Sequence, residues 1–124
     1  MRLDSAFRTA LVFAAACSAP AFAATHVITV GPNGSLTFSP STITIPSGDT
    51  ITFQSAASLA HNAVSDDGTT FSSGPLTVGP WTYVTPPLAA GTYPFHCDAH
   101  VGFGMVGTIT VQATPVTLQE FGVD

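Results

Sequence analysis

The segment Tyr93-Pro94-Phe95-His96-Cys97-Asp98-Ala99-His100-Val101-Gly102-Phe103-Gly104-Met105 carries two patterns in one run. Its first half alternates. Successive strand side chains point to opposite faces, so Tyr93, Phe95 and Cys97 share one face while Thr92, Pro94 and His96 take the other. The spacing predicts a strand from Gly91 to Cys97 that delivers the thiol to the core and leaves His96 facing solvent. The second half gathers a thiol, an imidazole and a thioether within the nine residues from Cys97 to Met105. A short loop between two strand ends can fold all three around one point.

Working outward, runs rich in Val, Ile, Thr and Phe are separated by clusters of Gly, Pro, Ser and Asp, and no segment carries a helical stripe. The expected strands are His26 to Val30, Leu36 to Ser39, Thr42 to Ile45, Thr50 to Gln54, Trp81 to Val84, Gly91 to Cys97 and Gly107 to Gln112. An eighth is expected between Phe71 and Val78. In Thr50-Ile51-Thr52-Phe53-Gln54 the apolar pair Ile51 and Phe53 points one way, as a half-solvated antiparallel strand requires. The expectation is an all-β, Greek-key sandwich of about eight strands.

At the amino end, Arg2 and Arg8 precede an Ala-rich apolar run that closes on Ala21-Phe22-Ala23, the pattern of a cleaved secretory signal over residues 1–23. The run is too short to span a membrane, which takes about 20 strongly apolar residues. Cys17 lacks the Leu three residues earlier that a lipidated cysteine would carry. The remainder divides into one domain, residues 24–112, and a tail, residues 113–124, without clear pattern. Both basic residues leave with the signal. Asp49, Asp66, Asp67, Asp98, Glu120 and Asp124 then face no Lys or Arg, a formal charge of −6. Such a surface repels nucleic acid and favours a basic partner.

Only Cys97 survives processing, and a lone cysteine in an exported domain needs a reason other than a disulfide. With His100 and Met105 beside it, the fourth donor must come from elsewhere in the fold, and His61 in His61-Asn62-Ala63-Val64 is available. A thiolate, two imidazoles and a weak thioether describe a mononuclear blue copper site, type 1, with Met as the long axial ligand. Soft sulfur favours Cu(I) and imidazole suits Cu(II), so one geometry serves both states. Zinc would prefer four good N or S donors.

The Cys-x2-His-x4-Met spacing from Cys97 through His100 to Met105, the run Gly104-Met105-Val106-Gly107 and the upstream pair His61-Asn62 resemble those of cupredoxins in the plastocyanin, pseudoazurin and amicyanin group. The resemblance covers roughly residues 26 to 112. It implies a cupredoxin-like sandwich, one copper per chain, and single-electron transport between redox proteins. It also implies that the Asn62 backbone N–H bonds the Cys97 sulfur while the Asn62 side chain ties the ligand loops together. Electrons leave such proteins at the exposed ligand histidine, which assigns Val101 and Phe103 to a docking patch beside His100. The expected setting is the periplasm, with a monomer serving a c-type cytochrome or copper reductase of basic surface. Four protein donors leave no open position for substrate, so no enzyme activity is expected. The alternative is a periplasmic copper carrier or resistance protein that delivers metal, although Met-rich or His-rich tracts are missing.

The chain departs from the family at Asp98, where Ser or Thr is usual. A carboxylate there can still accept from the Asn62 amide, and its charge would favour Cu(II). Asp66 and Asp67 suit either partner steering or an ordinary turn. Ala24-Thr25-His26, once exposed as the amino terminus, offers an amine, two amides and an imidazole for a secondary Cu(II) site; a histidine at a strand end is the plainer alternative. A catalytic pairing of Cys97 with His100 has no orienting acid or oxyanion-hole motif to support it.

Overall fold

The computed structural model describes residues 23–114, so residues 1–22 of the expected signal, Cys17 among them, and the expected tail beyond Thr114 lie outside it. The strands are β1 (Thr25–Val30), β2 (Phe38–Ser39), β3 (Thr42–Pro46), β4 (Thr50–Ser55), β5 (Val64–Ser65), β6 (Trp81–Val84), β7 (Gly91–His96) and β8 (Val106–Gln112). They form two four-stranded sheets, ordered β2-β1-β4-β6 and β3-β8-β7-β5. β1 runs parallel to β4 and β3 parallel to β8, while the other pairings are antiparallel.

Alternation sets which side chains close the sandwich. Ile28 and Val30 of β1, Ile51 and Phe53 of β4, Phe95 of β7, and Ile109 of β8 are wholly buried. Each such residue contributes roughly 1.5–3 kcal/mol by leaving water. Phe95 is the hub, with ring centroids 4.7 Å from Phe38 and 5.3 Å from Phe53, both edge to face. Its ring fills the space that a side chain at Gly107 would need, which is why the strand beside it carries glycine there.

The eighth strand is not where the sequence pattern placed it. It is β5, only two residues long, paired as Val64↔His96 and Ser65↔Phe95. The stretch from Phe71 to Val78 supplies single bridges instead, Ser72 to Val64 and Thr77 to His61. The predicted strand from Leu36 shortens to Phe38–Ser39, and β7 ends at His96, leaving Cys97 as the first residue beyond it. Because β5 and β7 are antiparallel, the residues just before β5 lie opposite those just after β7. His61-Asn62-Ala63 and Cys97-Asp98 are therefore brought to the same end of the sandwich.

Candidate metal centre

Cys97 is fully buried and is held by its backbone, with its N–H donating to Met105 O at 3.1 Å. The loop from there to β8 closes on itself: His100 N–H reaches Cys97 O, Phe103 N–H reaches His100 O, and Met105 N–H returns to His100 O. A single 3-10 turn at Val101–Phe103 takes up the middle. Met105 is thereby turned inward with no exposed surface. On the other side, His61 is fixed by a reciprocal pair of backbone hydrogen bonds with Thr77, at 3.0 and 3.1 Å.

These constraints gather three donor atoms. His61 Nδ1 lies 3.2 Å from His100 Nδ1, and the Cys97 sulfur lies 3.8 Å from the first and 3.5 Å from the second. Two imidazole nitrogens that close repel unless a proton or cation lies between them. A triangle with those sides has a circumscribed radius of about 2.0 Å, within the range of about 2.0–2.3 Å typical of metal bonds to imidazole and thiolate. The donors thus fit one ion, and their softness suits copper, with buried Met105 as the thioether.

The two imidazoles are held differently. Burial, and then His100, push His61 below the ordinary histidine value of 6.5, so it stays neutral and able to donate. Its Nε2 is buried without a hydrogen-bond partner. What faces that edge of the ring is Gly31, at φ +65°, where an added Cβ would stand only 2.6 Å from Nε2. Contact with a bare backbone, not a hydrogen bond, fixes the ring on that side. Sequence patterning gave no signal for this role, because Gly31 reads as part of an ordinary turn.

Asn62 joins the two halves of the site. Its Oδ1 accepts from Asp98 N–H at 2.9 Å, and its Nδ2 donates to Asp98 Oδ2 at 2.8 Å and to Gly74 O at 3.0 Å. Among the described residues no hydrogen bond runs from Asn62 N–H to the Cys97 sulfur; the asparagine acts through its side chain. The Asn62 hydrogen bond, followed by His96, holds the Asp98 carboxyl below the usual carboxylate range.

His96 does not point into free solvent as the alternation implied. Its Nδ1 lies 2.6 Å from Asp66 Oδ1 and its Nε2 2.9 Å from Asp98 Oδ1, with about a fifth of the side chain exposed. The Asp66 hydrogen bond raises its affinity for protons. An imidazole that donates from both nitrogens carries a positive charge, so the Asp98 charge is locally offset. Asp67 has a different task. It accepts from Ser65 Oγ, from the Thr69 and Thr70 N–H groups and from Thr70 Oγ1, organising the turn after β5. The Thr70 hydroxyl leads in holding its carboxyl well below the usual range. The pair Asp66 and Asp67 thus has structural partners for both carboxylates.

Around His100 the surface is apolar. Val101 is 47% and Phe103 75% exposed, and the Phe103 ring lies 6.4 Å from the His100 ring. Leu76 and Val78, flanking the Thr77 that pairs with His61, are exposed as well, which sequence inspection did not single out. At the amino end, Ala24, Thr25 and His26 are not gathered at one point. Thr25 and His26 open β1 in extended pairing with Thr50 and Ile51, and His26 Nε2 contacts Asp49 Oδ2 at 2.9 Å.

Residues 25–112 match the family described as copper binding proteins, plastocyanin/azurin family. The chain is 38% identical over 97 residues to a plastocyanin of Sambucus nigra, an alignment covering 69% of this chain and 98% of that protein. A mutant plastocyanin of fern superposes with a TM-score of 0.62 at 26% identity, covering 69% of this chain and 99% of the other. A purple cupredoxin from Nitrosopumilus maritimus superposes at 0.60 and 26%, covering 70% and 99%.

Proposed function

This chain belongs to the plastocyanin/azurin family of copper-binding proteins, and from that premise we propose that it carries single electrons between redox proteins in the periplasm. The observation that carries this reading is the donor triangle of His61, Cys97 and His100, closed on two sides by burial and open on one. Copper bound there supplies a one-electron couple. The protein's share is to hold the donors still: the Asn62–Asp98 hydrogen bonds lock the two ligand segments, and Gly31 backs the His61 ring. Ligands that do not move between oxidation states keep reorganisation small.

Burial argues for moving electrons over delivering metal. His61, Cys97 and Met105 have no exposed surface, so handing over an ion would require the sandwich end to open. Electrons need no such opening, only close approach of a partner to His100. Val101 and Phe103 provide that contact, and the acidic excess favours a partner with basic surface, such as a c-type cytochrome or copper reductase. With four protein donors and no open coordination position, an electron carrier and not an enzyme is the role these residues suit. The monomer is the form that leaves this patch free.

Copper-loaded protein is expected to show an intense visible thiolate-to-copper band and fast electron exchange. Phe103→Ala should lower the bimolecular transfer rate about tenfold, the effect of losing roughly 1.4 kcal/mol of docking contact, with the band unchanged. A colourless protein that passes Cu(I) to an acceptor would overturn the proposal.

A further inference from the structure

The first residues of β1 converge on one buried acid. Asp49, 8% exposed, accepts from Ala24 N–H through Oδ1 at 3.1 Å and contacts His26 Nε2 through Oδ2 at 2.9 Å. A third bond in the same place joins Thr50 N–H to Ala24 O at 3.0 Å. Asp49 is thus seated between the turn after β3 and the start of β1, with two donors supplied by the amino end. Its carboxyl is held below the usual range, first by His26 and then by Ala24.

We propose that Asp49 is the receptor for the α-ammonium group created when the signal is removed, so that processing completes an Ala24–Asp49–His26 hydrogen-bonded cluster that fastens β1. The inference rests on cleavage after Ala23, as the Ala21-Phe22-Ala23 pattern implies. In that step water adds its hydroxyl to the Ala23 carbonyl carbon and a proton to the Ala24 nitrogen as the peptide bond breaks, and the new Ala23 carboxylic acid gives up its proton to the new amine. The Ala24 nitrogen changes from an amide with one hydrogen to an ammonium with three, at a position already within hydrogen-bond range of a carboxylate. A charge-assisted bond replaces a neutral one. The chain from Ala24 onward contains no Lys or Arg, so the new ammonium is its only non-histidine cation near neutral pH. It forms beside an acid that is largely withdrawn from water. Ala23 and Ala24 are themselves exposed, leaving the bond between them open to a peptidase.

The cluster also bears on Ala24-Thr25-His26 as a Cu(II) chelate. The Ala24 nitrogen that would become the amine and the His26 imidazole, the two ends of that chelate, both already contact Asp49, and chelation would have to release them.

The absence of lysine makes the test selective, since an amine-acylating reagent has the α-amine as its only aliphatic target. The intact mass of the exported, copper-loaded protein is expected to show a chain starting at Ala24; any other start removes the premise, whatever Asp49 does. With that start in hand, acetylating the amine is expected to lower Tm by about 4 °C, the scale of one lost ion pair in a chain this size. The same acetylation should leave Tm unchanged in Asp49→Asn, and should still lower it in His26→Gln, where the amine keeps its carboxylate. Asp49→Asn should also speed acylation several-fold by freeing the amine. Equal effects of acetylation in the native chain and Asp49→Asn, or an acylation rate indifferent to Asp49, would overturn the proposal.

Discussion

His61 and His100 offer the same atom to the same centre, yet they are mounted in opposite ways. His61 has no exposed surface, is paired through its backbone to Thr77, and is backed by Gly31. His100 is part-exposed on a loop closed by local hydrogen bonds, with Val101 and Phe103 projecting beside it. One ligand belongs to the sandwich; the other belongs to the surface. The difference separates two requirements of an electron carrier, a fixed geometry and an accessible exit, and places each on its own side of the metal.

The largest expected effect comes from removing each ring in turn. Either His61→Gly or His100→Gly should weaken copper binding by more than about 100-fold, since even a ligand's hydrogen-bond partner is worth about 10- to 100-fold. Added imidazole should restore the visible band in His100→Gly, whose vacancy opens to solvent, and fail to do so in His61→Gly. Equal rescue of both variants would erase the distinction.

A smaller effect lies on the anchored side. An isolated charge near the metal is worth about 1 kcal/mol, roughly 40 mV for a one-electron couple. Asp98→Ser should raise the potential by less than that, because His96 already offsets the carboxylate; with His96→Gln as background the rise should be larger. A potential that is unchanged or lower in voltammetry counts against the charge argument.

The smallest effect is in the copper-free protein. His61 is held below 6.5, so the unfolded chain binds that proton first and stability falls as pH drops below 6.5. His96 is held above 6.5, so its contribution is complete below that pH and is lost as pH rises through the folded value. Urea midpoints should therefore peak near pH 6.5, with the alkaline loss under about 1 kcal/mol because the partner carboxylates are half exposed. His96→Gln should fall less steeply above 6.5 than the native chain while keeping the acid-side fall. An unaltered alkaline slope would show that His96 is not its source.

The same asymmetry governs what could be read from sequence. The Cys97 to Met105 loop was legible because its three donors are contiguous and its backbone bonds are local. Alternation correctly sent Ile51, Phe53, Phe95 and Cys97 inward, since period-two patterning needs only neighbours in the chain. What escaped depended on residues far apart. β5 is two residues long and exists by virtue of β7, so no pattern of its own marks it. His96 was expected in solvent because alternation ignores Asp66, thirty residues earlier, whose turn brings it against the ring. Gly31 escaped for a similar reason: its neighbour His61 lies across the sandwich, and a missing side chain leaves no trace in a hydrophobic pattern.

The parallel pairing of β3 with β8 has a kinetic meaning. It joins Thr42 to Thr108 and closes the second sheet across most of the described chain. Such distant pairings put folding in the range of milliseconds to seconds, because the entropy of closing the loop is lost before the contacts form. The Cys97 to Met105 loop leads directly into β8, so bringing that strand home and assembling the donor set are one event. A chain whose β8 has not yet arrived has no metal centre to fill, and copper capture is therefore a late step in this protein's maturation.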